Sequence, residues 1–76
     1  MDLIVDRGTE HYGIEIKSSE TIHEKFFDGL KYWIKLSGDK PSSMFLIYGG
    51  EDNIVRNKMN VVSWKSIKEK IIMNAI

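Results

Sequence analysis

Cysteine is absent from this 76-residue chain, which removes both a disulfide framework and any thiolate metal site. Net charge is absent as well. Eleven lysines and arginines balance eleven aspartates and glutamates, so no bulk field draws the chain to nucleic acid or lipid, and an anion site has to be local. No apolar run approaches the roughly 20 residues that cross a bilayer, and Asp2 directly after Met1 does not open a signal peptide. A prokaryotic cytoplasm and no membrane partner are the expectations.

What is present is ordinary for a globular protein: 42% hydrophobic and 29% charged residues. The length allows one domain, residues 1–76, with a thin core, because a chain this short buries only about 60% of the surface its unfolded form exposes.

The stretch Gly13-Ile14-Glu15-Ile16-Lys17-Ser18 sets two opposite charges two residues apart inside a β-branched run. On a strand, Glu15 and Lys17 share one face, and Ile14 and Ile16 point the other way, which predicts the isoleucines in a core and the charges outside it. Asp2 to Asp6 reads as a partner strand across turn residues 6–10, giving a β-hairpin. Two registers keep the charges together: a two-residue turn pairing Asp2 with Gly13, and a four-residue loop pairing Asp2 with Glu15. A shift by one residue would bury the charges.

Thr21-Ile22-His23-Glu24 has the form of a capping box and predicts a helix start. Ile22, Phe26, Phe27, Leu30, Trp33 and Ile34 follow helical spacing, and Gly38 marks the end. Met44 to Tyr48 is a continuous apolar run stopped by Gly49-Gly50, as in a central strand covered on both faces and parallel to a hairpin strand. Ile54 to Arg56 and Met59 to Val62 are strands around an Asn57-Lys58 turn. Ser63 is expected to cap a last helix from Trp64 to about Asn74, with Ile67, Ile71 and Ile72 inward. The expected order is β-β-α-β-(β)-β-α. His11 and His23 read as surface residues, and Lys25, Lys31 and Lys35 as a solvated helix face.

A strand carrying Asp, then a strand carrying Glu-x-Lys, then a helix and a buried strand resembles the core of the PD-(D/E)XK nuclease superfamily. More closely, Asp2-Leu3-Ile4-Val5, Gly13 to Ser19, Tyr48-Gly49-Gly50-Glu51 and Val61-Val62-Ser63-Trp64 resemble the uncharacterised carboxy-terminal domain of a group of prokaryotic AAA+ type ATPases. The resemblance implies a restriction-endonuclease-like α/β fold with a mixed sheet. It implies Asp2 and Glu15 as ligands of Mg²⁺ or Mn²⁺ with the Ile16 carbonyl as a third, and Lys17 as base or charge stabiliser, so that Asp2, Glu15 and Lys17 are the catalytic set. A metal held this way activates water and offsets charge on a scissile phosphate, with nucleic acid as partner.

Superfamily members normally carry a helix before the Asp strand, and this sequence begins one residue before that Asp. The expectation is therefore a fragment of a longer ATPase protein with an incomplete or vestigial phosphodiesterase site, an upstream ATPase domain as neighbour, and an apolar patch around Ile4 that favours a homodimer. The alternative is a non-catalytic binding or oligomerisation module of the ATPase, in which Asp2, Glu15 and Lys17 form only a cross-strand ion pair on a solvated face.

Overall fold

The computed structural model describes residues 2–67. Five strands form one mixed sheet: β1 (Leu3–Arg7), β2 (Glu10–Ile16), β3 (Met44–Tyr48), β4 (Ile54–Arg56) and β5 (Met59–Ser63), in spatial order β1-β2-β3-β5-β4. β2, β3 and β5 run parallel at the centre, and β1 and β4 close the edges antiparallel. The α-helix α1 (Asp28–Ser37) crosses between β2 and β3. This mixed α/β arrangement is compatible with the restriction-endonuclease-like class expected from the sequence.

The two hairpins follow their turn chemistry. β1 and β2 are joined by Gly8-Thr9 alone, with Gly8 at φ +76° in the first loop position, as in a type II′ turn. Their pairing, Leu3 with Ile14 and Arg7 with Glu10, is the register that sets Asp2 at the level of Glu15. A two-residue turn thus produces the register for which a four-residue loop was expected, because β1 runs on through Arg7 and β2 begins already at Glu10. β4 and β5 meet through Asn57-Lys58, both at positive φ (55° and 63°).

The helix begins later than the capping-box pattern suggests. Glu24–Phe27 is a 3₁₀ turn, and the α-helix starts at Asp28. The box does not form: the Thr21 amide donates to Ser19 Oγ (3.1 Å), and the Glu24 carboxylate is taken by Lys31, Asn57 and Arg56. The end is as expected, with Gly38 left-handed and its N–H donating to the Ile34 carbonyl.

The helix covers the sheet face that carries Met44, Leu46 and Tyr48 of β3 and Met59 and Val61 of β5, and these pack with Phe27 and Leu30 into one cluster. Ile22, Phe26, Trp33 and Ile34 flank it. Because Glu15 is in register with Leu46, its side chain leaves the sheet on this covered face. The sequence reading had the reverse, with charges outside and both isoleucines in a core. Ile14, Ile47 and Val62 are buried on the opposite face, but Ile16 at the strand end is 54% exposed.

Past β5, Ser63 caps a 3₁₀ turn, Trp64–Ser66, its hydroxyl accepting from the Lys65 amide. The rest of the expected last helix, with Ile71 and Ile72, lies outside the described residues.

Candidate functional site

Parallel α/β sheets present ligand sites beyond the carboxyl ends of their strands, where the chain leaves the sheet and its loops diverge. Here Ile16, Tyr48 and Ser63 end the three parallel strands on one side, and Glu15 and Lys17 stand at that same end of β2. The Glu15 residue is only 7% exposed. Lys17 Nζ lies 3.5 Å from Glu15 Oε2 and 5.5 Å from the centroid of the Phe26 ring, so the ammonium is held between a carboxylate and an aromatic face. The Lys17 amide donates to the Ile47 carbonyl (2.8 Å), which fixes where that side chain leaves the backbone.

Asp2 closes the other edge of the corner. Its N–H donates to the Ile14 carbonyl (3.1 Å), and its Oδ2 accepts from the Ile16 N–H (2.7 Å). Asp2 therefore lies just past the last paired rung and continues the ladder with its side chain. N–H and C=O of one residue leave a strand on the same edge, so the Ile16 carbonyl also faces the Asp2 side of β2.

The two carboxylates and the carbonyl expected to hold a divalent cation thus sit at one strand end. Among the described residues no group of three or more His, Asp or Glu side chains gathers to hold a metal. Two carboxylates and a carbonyl form the sparse, all-oxygen donor set that suits Mg²⁺, which keeps several of its waters. Lys17 already neutralises one of those carboxylates, so a cation entering here competes with its ammonium.

The loop opposite is built for close approach. A Cβ on Gly49 would lie 2.5 Å from the Ser18 carbonyl oxygen, and the Gly49 N–H donates to the Ser19 carbonyl (2.8 Å). The Tyr-Gly-Gly strand end is thus the surface on which the segment after Lys17 rests. Ser63, 1% exposed, donates through its hydroxyl to the Gly50 carbonyl, and Tyr48 OH accepts from the Asp52 amide. Phe26 flanks the core, as its helical spacing predicts, and its ring also faces Lys17, which no local pattern shows. Trp64, the first residue of the turn after β5, is 64% exposed.

The remaining titratable groups cluster elsewhere. His11, half-buried at the turn end of β2, has Nδ1 3.6 Å from Asp39 Oδ2 and Nε2 3.8 Å from Asp6 Oδ1. Asp39 also accepts the Trp33 indole N–H (2.8 Å), which, with smaller help from Ser37 and His11, holds its carboxyl below the usual range. His23 is exposed, its ring edge-on to Phe26 at 5.0 Å. Among the described residues, no helix is long and apolar enough to cross a membrane.

The family model described as "Domain of unknown function (DUF4143)" matches residues 1–67. No curated protein and no solved structure matches the chain. A match that runs from the Asp2 strand through the 3₁₀ turn after β5 covers every described element, and the chain belongs to the DUF4143 family.

Proposed function

We propose that this domain is the nuclease-like carboxy-terminal module of a prokaryotic ATPase, with a sparse, Mg²⁺-dependent phosphodiesterase site at the carboxyl end of β2. The observation that carries this reading is the burial of Glu15 beside Lys17 at that strand end, with the Asp2 carboxylate tied to the next residue of the same strand. A strand face that merely meets solvent does not bury its glutamate. In this reading Asp2, Glu15 and the Ile16 carbonyl hold the cation, whose chemistry when bound is to activate a water and offset phosphate charge. Lys17 stands where it can orient that water or stabilise negative charge on the phosphorus oxygens.

One observation favours a second reading. Lys17 and the Ile16 amide already engage Glu15 and Asp2, as they would in a module that only binds or tethers its ATPase. Metal titration followed by NMR separates the two. In the first reading, millimolar Mg²⁺ shifts the amides of Asp2 and residues 15–17, Mn²⁺ broadens them, and Glu15→Ala removes both effects. Silence of all four amides at millimolar metal leaves the binding module.

A further inference from the structure

A cleft of about 330 Å³ opens beside this corner, between the carboxyl ends of β2 and β3 and the turn after β5. Its walls are Ile16, Ile47, Tyr48 and Trp64, and its polar groups come from Lys17 and Ser18. Two of the walls stand open to solvent: Ile16 is 54% exposed and Trp64 64%. Among the described residues Lys17 is the one charged residue that lines the cleft, and it is the same side chain that reaches Glu15 at 3.5 Å. The nearby carboxylate of Glu51 is bound to Lys65 and does not line the cleft.

We propose that this cleft takes a nucleobase, stacked on the Trp64 indole, from a single-stranded or locally unpaired nucleic acid whose adjoining phosphate lies at Lys17. An aromatic plate with aliphatic walls suits a flat heteroaromatic ring. One cation at the edge suits the phosphate attached to it, which competes for that ammonium with the Glu15 carboxylate 3.5 Å away. Stacking reads no sequence, because every base has a π-face. A base paired within a duplex cannot present that face, so the site selects unpaired strands. The inference rests on the nuclease-like reading of Glu15 and Lys17 and adds the form of the substrate.

The test uses the full 76-residue chain, a ten-nucleotide oligothymidylate and a ten-base-pair duplex as probes, and Mn²⁺ as an independent reporter on the acid pair. The single strand is expected to quench Trp64 emission and shift its indole N–H resonance, with the Trp33 indole N–H, bound to Asp39, unchanged as an internal marker of folding. Trp64→Ala weakens single-strand binding by roughly ten-fold, in line with the loss of one base–aromatic stack, and Trp64→Phe weakens it less. Trp33→Phe leaves it unaltered.

Equal binding of duplex and single strand, or an affinity indifferent to Trp64→Ala, overturns the proposal. If Mn²⁺ broadens Asp2 and residues 15–17 while the oligonucleotide leaves Trp64 untouched, the stacking site is wrong and the metal site stands. If the oligonucleotide stacks while Mn²⁺ has no effect, the base site stands and the phosphodiesterase reading fails.

Discussion

The Ile16 amide donates to the Asp2 carboxylate across 2.7 Å, fourteen residues apart in sequence, so a side chain performs the last rung of the β1–β2 ladder. The same aspartate is thereby a strand terminator and a candidate ligand, and the two roles answer differently to substitution.

Asp2→Asn keeps a side-chain acceptor in place and is expected to leave stability within about 0.5 kcal/mol of the parent, while weakening any Mg²⁺ response through loss of charge. Asp2→Ala removes the acceptor and costs about 1 kcal/mol, with faster exchange of the Ile16 amide. Urea unfolding and amide exchange measured together on both variants check this. Equal stability of the Ala and Asn forms would mean that the bond carries no weight in solution.

Replacing Leu30 by Ala tests the layer that buries Glu15. Leu30 is fully buried between the sheet and its neighbours on the helix side, and the substitution is expected to cost about 2–5 kcal/mol. Urea midpoints with an unchanged slope read the loss directly. A single core in a domain of this size supplies about 3–5 kcal/mol in total, so the variant is expected to be partly unfolded at 25 °C.

Asp39 carries a pH dependence whose sign is set by its lowered carboxyl pKa. The Trp33 indole hydrogen bond is the main cause, and Ser37 and His11 add to it. A carboxyl whose folded pKa is depressed adds stability above its unfolded value, near 3.8, and that stability disappears as pH falls through the folded value. Trp33→Phe is expected to move the Asp39 titration upward and shrink the acid-side slope of stability, and Asp39→Asn to remove its share of that slope. Carboxyl ¹³C titration of Asp39 in the parent and in Trp33→Phe checks the first, and urea unfolding across acid pH of all three proteins checks the slopes.

Glu24 ties the turn before α1 to the β4–β5 hairpin through Lys31 (3.0 Å), Asn57 (2.9 Å) and Arg56 (3.1 Å). All these groups face solvent, so screening is strong. Glu24→Gln is expected to lower the melting temperature slightly in dilute buffer, and the deficit should vanish in half-molar salt. A salt-independent deficit would show that hydrogen-bond geometry at residue 24, and not charge, does the tying.

The sequence was most legible where a local rule met no competitor. The apolar run of β3, the Gly38 stop and the Asn57-Lys58 turn lie where periodicity and turn chemistry put them, because each depends on a few adjacent residues. It was least legible where a side chain had two offers. Glu24 fits a capping box, but Lys31, Arg56 and Asn57 outbid its own turn, and that contest involves residues up to 33 positions away. The sheet face was lost for a similar reason. Alternation separates Glu15 from Ile14 and Ile16 but does not tell which set the helix covers, and both faces of β3 are apolar. Pairing of Glu15 with Leu46 and packing of Leu46 beneath α1 decide it, and neither is written in residues 13–18. The candidate site was therefore legible in its membership and not in its burial.

The β4–β5 turn offers a gain of stability with a built-in control. Asn57 and Lys58 both sit at positive φ, a conformation that costs a side chain with a Cβ about 1 kcal/mol or more and costs glycine nothing. Lys58 is exposed, so Lys58→Gly relieves the strain. Glycine returns part of that gain through its freer unfolded chain, leaving a net stabilisation of about 0.5 kcal/mol. The same change at Asn57 relieves strain but removes the side chain that donates to Glu24, so it is expected to be neutral or unfavourable. Urea midpoints should order the proteins as Lys58→Gly above parent and Asn57→Gly at or below it. The reverse order would mean that the hairpin reaches its turn by another geometry.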